Sequence, residues 1–165
     1  MSAPGPVQRK KDGGRNDWQT PPELFRLLNN EFRFEIDGAA SKENHLLSAY
    51  FSEEESAFEM GVWWNRIFVN PPYGSLDKWV GLFIQWAVHD HCTVVALVPV
   101  APDTKWWKRA YDAAAEVRLL SGRVKFVNPE TGKPDGSNTT GSTVFVFKDT
   151  SKPRLVYLWD WKAEL

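Results

Sequence analysis

A single cysteine, Cys92, among 165 residues excludes an internal disulfide framework and gives no support to a thiolate metal site. It falls between an apolar helical pattern and an apolar strand, so its expected role is packing, not nucleophilic chemistry. The three histidines, His45, His89 and His91, show no metal-ligand spacing and are expected on the surface. No run of about 18 apolar residues exists, so no membrane span is expected. The N-terminus lacks the apolar core of a signal peptide, which makes a cytoplasmic protein the simplest expectation. The chain also lacks the basic excess common in nucleic-acid partners, since its formal net charge is −1. Its length suits one well-cored domain and leaves no room for a large recognition domain beside a catalytic one.

The charge is nevertheless unevenly spread. Acid gathers in Glu53, Glu54, Glu55 and Glu59; base gathers in Arg9, Lys10, Lys11 and Arg15, and again in Lys105, Lys108, Arg109, Arg118, Arg123 and Lys125. Affinity for a phosphate backbone depends on a local basic face and not on the chain total. Solvated surface charge is the plainer reading of any single lysine, and for the 105–125 cluster both readings stand. Tryptophan is abundant, nine residues in all. The adjacent pairs Trp63-Trp64 and Trp106-Trp107 face apart on any regular element, so they read as core and rim.

Residues 1–15, rich in Pro, Gly and base, read as a mobile arm ahead of a single domain from residue 16. A helix is expected near Pro21, with Thr20 as N-cap and Glu23 completing a capping box. A strand follows at 34–37, a short helix at 42–50, and a brief strand or turn at 59–63. Arg66 to Val69 and Thr93 to Pro99 read as buried strands, separated by a helix over 76–89. A helix over 104–115 precedes a strand at 116–120. Segments 123–127 and 143–148 are expected to pair across a loop over 128–141. Alternating strands and helices predict an α/β fold, a mainly parallel, doubly wound sheet with a terminal antiparallel hairpin strand. Ligands in such folds bind beyond the carboxyl ends of the strands, where Asp37 and Asn70 both fall.

Asn70-Pro71-Pro72-Tyr73 carries the most chemistry. The run Ile67-Phe68-Val69 is a buried strand, and paired prolines stop it because neither can donate to a sheet ladder. The rigid turn holds an amide side chain, exposed carbonyls and an aromatic ring in fixed relation. Such a cluster can accept both hydrogens of a planar amino group while the ring stacks on the group that bears it.

This motif resembles the [Asn/Asp/Ser]-Pro-Pro-[Tyr/Phe] motif of amino-methyltransferases that use S-adenosylmethionine. Residues 18–25 (WQTPPELF) resemble that family's Thr-Pro segment, and residues 34–41 (FEIDGAAS) a degenerate first cofactor motif, with Ala39-Ala40 where Gly-x-Gly is usual. Residues 119–126 and 141–147 resemble its later strands. In this order, across about residues 16–148, the set resembles the phage-type, Dam-like N-6-adenine DNA methyltransferases. The resemblance implies a Rossmann-like S-adenosylmethionine-dependent methyltransferase fold acting on adenine in DNA, without a metal. It implies Asn70, Pro71, Pro72 and Tyr73 as catalytic motif. For the cofactor it implies Trp18, Thr20, Pro21, Asp37, Ala39, Ala40 and Asn70, with Asp37 toward the methionine ammonium and Thr20 near its carboxylate. Glu53, Glu54 or Glu55 would take the ribose.

Adenine's amino nitrogen is a poor nucleophile because its lone pair is delocalised. Hydrogen bonds from its hydrogens to Asn70 and a backbone carbonyl such as that of Pro71 would favour a tetrahedral nitrogen. Asn70 cannot take a proton at neutral pH, so its role is to position and polarise. A base inside a duplex is unreachable and would be flipped out to stack on Tyr73. The DNA-contact candidates are Lys105, Lys108, Arg109, Arg123 and Lys125, with Lys133 and Asn138 in the 128–141 loop. Two other readings share the motif or the fold: methylation of RNA or of a protein glutamine, and a non-catalytic nucleic-acid-binding module.

Overall fold

Each apolar run is short, and none can bury both of its faces without neighbours on either side. The computed structural model describes residues 18–52, 56–59, 61, 63–134 and 138–165. Its strands are β1 (Ile36–Asp37), β2 (Arg66–Val69), β3 (Thr93–Pro99), β4 (Glu116–Leu120), β5 (Ser142–Phe147) and β6 (Leu155–Trp159). Its helices are α1 (Pro22–Phe32), α2 (Leu76–Val88) and α3 (Lys105–Ala113), with 3-10 turns at Tyr73–Ser75 and Trp161–Glu164. The strands form one sheet in the order β1-β2-β3-β5-β4-β6. β1, β2 and β3 are parallel, β5 runs antiparallel to both β3 and β4, and β6 is parallel to β4. Five strands therefore share one direction and β5 alone opposes them.

Side-chain alternation sorts the core into two layers. Ile67, Val69, Val94, Ala96 and Phe145 pack with α2 and α3 on one face. Phe68, Val95, Leu97, Val144 and Val146 pack with Leu24, Phe25 and Leu28 of α1 on the other. Cys92 is buried and donates its thiol to the Trp64 carbonyl at 3.0 Å. Burial, with Asp90 and Glu35 nearby, pushes it up to about 11, in keeping with a packing role.

The bounds of β2, β3 and β4 match expectation, and Thr104 caps α3 by accepting the Trp107 N–H. Four expectations do not hold. The capping box is absent: Pro21 precedes Pro22 and is held extended (φ −52°, ψ 131°), so it becomes the cap residue and Thr20 stands one position too far out. Residues 42–50 form no helix, because Ser41 and Asn44 bind local backbone instead, with Ser41 N–H to Asn44 Oδ1 at 2.6 Å. The chain then returns through bends at 46–49 to the outer edge of β1, where Asp37 and Tyr50 form a single parallel bridge. Segment 123–127 does not pair with β5, whose two edges are already taken by β3 and β4; Val127 bridges Gln19 and Pro134 instead. The antiparallel strand is thus interior and no terminal hairpin, and the sheet ends on β6, a strand the sequence reading did not anticipate. A turn lies at 57–59, ahead of the brief element expected over 59–63, of which residues 60 and 62 lie outside the described residues. Arg9, Lys10, Lys11, Arg15 and Glu53 to Glu55 lie outside the described residues.

One buried charge ties the β4–β6 edge to α1. The Arg118 side chain is 4 % exposed, forks onto Glu31 at 2.8 and 2.6 Å, and donates to Glu116 at 2.8 Å. Its guanidinium also lies 5.1–5.8 Å from the ring centres of Phe32, Tyr157 and Trp159. Removing one partner of a buried ion pair strands the other. Arg118→Ala should therefore cost about 3 kcal/mol in urea unfolding at unchanged m-value. Arg118→Lys should recover only part, since an ammonium cannot fork onto Glu31.

Candidate active site

Two strand ends meet at the carboxyl edge of the sheet. Register pairs Asp37 with Phe68, and the Gly38 N–H donates to the Phe68 carbonyl at 2.6 Å. A Cβ on Gly38 would stand 2.8 Å from Val69 Cγ2 and 3.2 Å from the Phe68 oxygen, so only glycine permits this approach. The next residues of β2's run-out are Asn70, the buried Pro71, and Pro72, extended at φ −62° and ψ 134°. Tyr73 then opens the 3-10 turn that feeds α2. The Asn70 amide nitrogen donates to the Trp18 carbonyl at 3.4 Å. That donation leaves Oδ1 as the amide's accepting end.

Asn70, Pro71 and Tyr73 line an open cleft whose empty space, solvent-filled mouth included, is ≈ 590 Å³. Trp18 and Phe126 add aromatic walls; Pro99, Asn138, Thr140, Gly141 and Ser142 complete it. Pro99, Phe126 and Ser142 escaped the sequence reading. Pro99 was legible in principle, since it ends the apolar run of β3 as Pro71 follows that of β2.

A strap over residues 18–20 joins this cleft to the Asp37 side. Gln19 and Val127 exchange backbone hydrogen bonds at 2.9 Å each, and Gln19 Nε2 donates to the Asn44 carbonyl at 3.2 Å. Asp37, 3 % exposed, lies beneath residues 39–51 and accepts the N–H groups of Leu46 at 3.2 Å and Ala39 at 3.4 Å. Burial pushes its carboxyl up to about 6, against the opposing pull of those two N–H groups and of His45. The Ala40 N–H donates to the Phe51 carbonyl at 2.9 Å. Pro21 is buried, and so is Thr20, whose Oγ1 has no hydrogen-bond partner. A buried carboxylate short of a cation and an unpaired buried hydroxyl fit a ligand that brings an ammonium and further polar groups.

The structure brings Trp18, Asn70, Pro71, Tyr73 and Asn138 to one cleft, which Asp37, Thr20, Ala39 and Ala40 do not line. Asn138 uses both ends of its amide inside the loop, donating to the Val124 carbonyl and accepting from the Thr140 N–H at 3.2 Å each. The basic candidates divide. Lys108 pairs with Asp112 at 2.5 Å and Arg109 with Asp77 at 3.4 Å. Lys105, Arg123, Lys125 and Lys133 are exposed, and among the described residues none of them is ion-paired. Among the described residues no group of three acidic, histidine or cysteine side chains could hold a metal, and no helix is long and apolar enough to cross a membrane.

Comparison with known proteins points the same way as the motif. A family model described as DNA N-6-adenine-methyltransferase (Dam) matches residues 8–163. A DNA N-6-adenine-methyltransferase of Escherichia phage T1 is 29 % identical over 157 residues, covering 84 % of this chain and 65 % of that protein. The chain thus spans a little under two thirds of the phage T1 protein's length. A protein of the same description from Haemophilus phage HP1 is 26 % identical over 156 residues, covering 93 % of this chain and 83 % of its own.

The buried Asp37 makes stability fall with rising pH. Its carboxyl binds its proton more tightly in the folded protein, at about 6, than in the unfolded chain, where it has its ordinary value of 3.8. The penalty for burying the charge is absent below the lower value, grows between the two, and is complete above the higher. In the ligand-free protein, Asp37→Asn should gain on wild type by about 2–3 kcal/mol between pH 4 and pH 7, read as the change in their difference in urea unfolding. A difference independent of pH would rule out a raised Asp37.

Proposed function

This chain belongs to the DNA N-6-adenine-methyltransferase (Dam) family, and on that premise we propose that it methylates the exocyclic amino group of adenine in DNA, with S-adenosylmethionine as donor. The observation that carries this reading is the Asn70 amide, whose nitrogen is occupied by the Trp18 carbonyl while its oxygen is left to accept beside the rings of Trp18, Tyr73 and Phe126. The mainly parallel sheet with helices on both faces supports a Rossmann-like methyltransferase arrangement, with donor and acceptor on adjacent strand ends.

When bound, S-adenosylmethionine supplies an electrophilic methyl group. Asp37 would hold its ammonium and the unpaired Thr20 hydroxyl would meet its polar end, with Pro21, Ala39 and Ala40 closing around it. Asn70 Oδ1 and the Pro71 carbonyl accept the two amino hydrogens of adenine, which localises the nitrogen lone pair. Neither group takes up a proton at neutral pH, so the proton leaves to water after transfer. Orientation and preorganised dipoles supply most of the rate. A cleft walled by Trp18, Tyr73 and Phe126 suits a single base rotated out of the stack, with Tyr73 on its face.

Asn70→Ala should lower turnover on duplex DNA by at least about 100-fold, the usual scale for one preorganised polar contact, with affinity for S-adenosylhomocysteine within a few fold. Tyr73→Phe should keep most activity, whereas Tyr73→Ala loses stacking worth about 1–3 kcal/mol. Tritium transfer from labelled S-adenosylmethionine to duplex DNA, RNA and protein, run in parallel, tests the substrate class. Label on RNA or glutamine but not on DNA would overturn it.

A further inference from the structure

The C-terminal turn brings a cation to Gly122, next to Arg123, from far away in sequence. Trp161, 2 % exposed, anchors the 3-10 turn in the α1-side core, and the Ser121 N–H donates to the Trp159 carbonyl at 2.9 Å. Lys162 is thereby laid across Gly122: its Nζ stands 3.5 Å from where a Cβ on that glycine would sit, at φ +77°. On the other side of Gly122, Arg123 reaches Gly141, with Nη1 3.8 Å from that glycine's Cβ position. Gly141 lines the cleft. Arg123 is thus one step from the cleft through Gly141, and Lys162 stands beside Gly122, the residue that precedes Arg123.

Position sets these two apart from Lys105, Lys125 and Lys133, equally unpaired among the described residues: Arg123 lies beside Gly141 of the cleft wall, and Lys162 beside Gly122, the residue before Arg123. Lys108, Arg109, Arg66 and Arg118 all sit on carboxylates. Among the described residues neither Arg123 nor Lys162 is ion-paired. Of the acids on the same turn, Glu164 is engaged by the Trp159 indole N–H at 2.6 Å. Two cations without a carboxylate partner, Arg123 beside Gly141 and Lys162 on the anchored turn with its Nζ 5.5 Å from the Trp161 ring centre, suit a diffuse anion that accompanies the ligand in the cleft. A nucleotide carries that anion as its backbone phosphate.

We propose that Arg123 and Lys162 form a phosphate-binding pair at the rim of the cleft, gripping the DNA backbone beside the nucleotide whose base enters it. This rests on DNA being the substrate. Each cation that neutralises a phosphate adds about 0.9 to the slope of log Kd against log salt concentration.

The test is fluorescence-anisotropy titration of a labelled duplex between 50 and 200 mM KCl, with thermal melts to confirm folding. Lys162→Gln and Arg123→Gln should each lower the slope by about 1 and the double variant by about 2. Lys162→Arg should keep it. Lys152→Gln, at an exposed lysine between β5 and β6, should leave it unchanged. If wild type binds DNA with a clear salt dependence and both rim variants keep its slope, the phosphate pair is wrong and the DNA reading survives. If wild type binds no duplex at the lowest salt, the DNA reading itself fails and the pair with it.

Discussion

Everything functional in this molecule hangs on how closely β1 is allowed to approach β2. The Gly38 N–H on the Phe68 carbonyl draws the end of one strand against the end of the other, and the missing side chain at Gly38 makes that distance possible. Parallel strands in register then end together, so the carboxylate of Asp37 and the amide of Asn70 emerge at the same edge of the sheet. Two prolines keep β2 from continuing and turn the chain into α2, whose apolar face fastens the turn to the core. A one-residue slip would send Phe68 to the wrong face and separate the two groups.

What could be read from the chain follows the same physics. β2, β3 and β4 were legible because each is an apolar run bounded by breakers, and a buried strand needs nothing more to announce itself. Asn70-Pro71-Pro72-Tyr73 was legible because its chemistry is local. The errors concern segments whose partners are decided elsewhere. Residues 123–127 alternate like a strand, with Val124 and Phe126 inward and Arg123 and Lys125 outward, but whether they join the sheet depends on whether β5 has an edge to spare. It has none, so the same alternation lines the cleft with Phe126 instead. β6 was hidden for the converse reason. Leu155, Val156 and Leu158 are exposed on an edge strand, held mainly through β4 and the Arg118 cluster, and no periodicity in the strand itself signals such a partner.

The charge pattern shows a similar division. Counting cations located a basic stretch from Lys105 to Lys125 but could not tell neutralised from available charge. Helical spacing explains part of it, since Lys108 and Asp112 are one turn apart and Asp77 reaches Arg109 from α2. Lys162 lies outside the stretch altogether and comes beside Gly122 only because the buried Trp159 and Trp161 anchor the turn that carries it. The electrostatic face of this protein is a property of its tertiary structure, which is why a net charge of −1 says little about what it binds.

The strap at residues 18–20 gives the two halves of the site a common wall. Trp18 orients the Asn70 amide through its carbonyl, Gln19 is fastened to Val127 on one side and to the Asn44 carbonyl on the other, and Thr20 is buried at the entrance to α1. The Asn44 turn belongs to the loop whose Leu46 N–H holds Asp37. A ligand that draws on the Asp37 carboxylate and the Thr20 hydroxyl would therefore press on the segment that fixes Asn70. The same backbone segment thus joins the Asp37 side of the candidate site to the Asn70 side, through hydrogen bonds at Trp18 and Gln19.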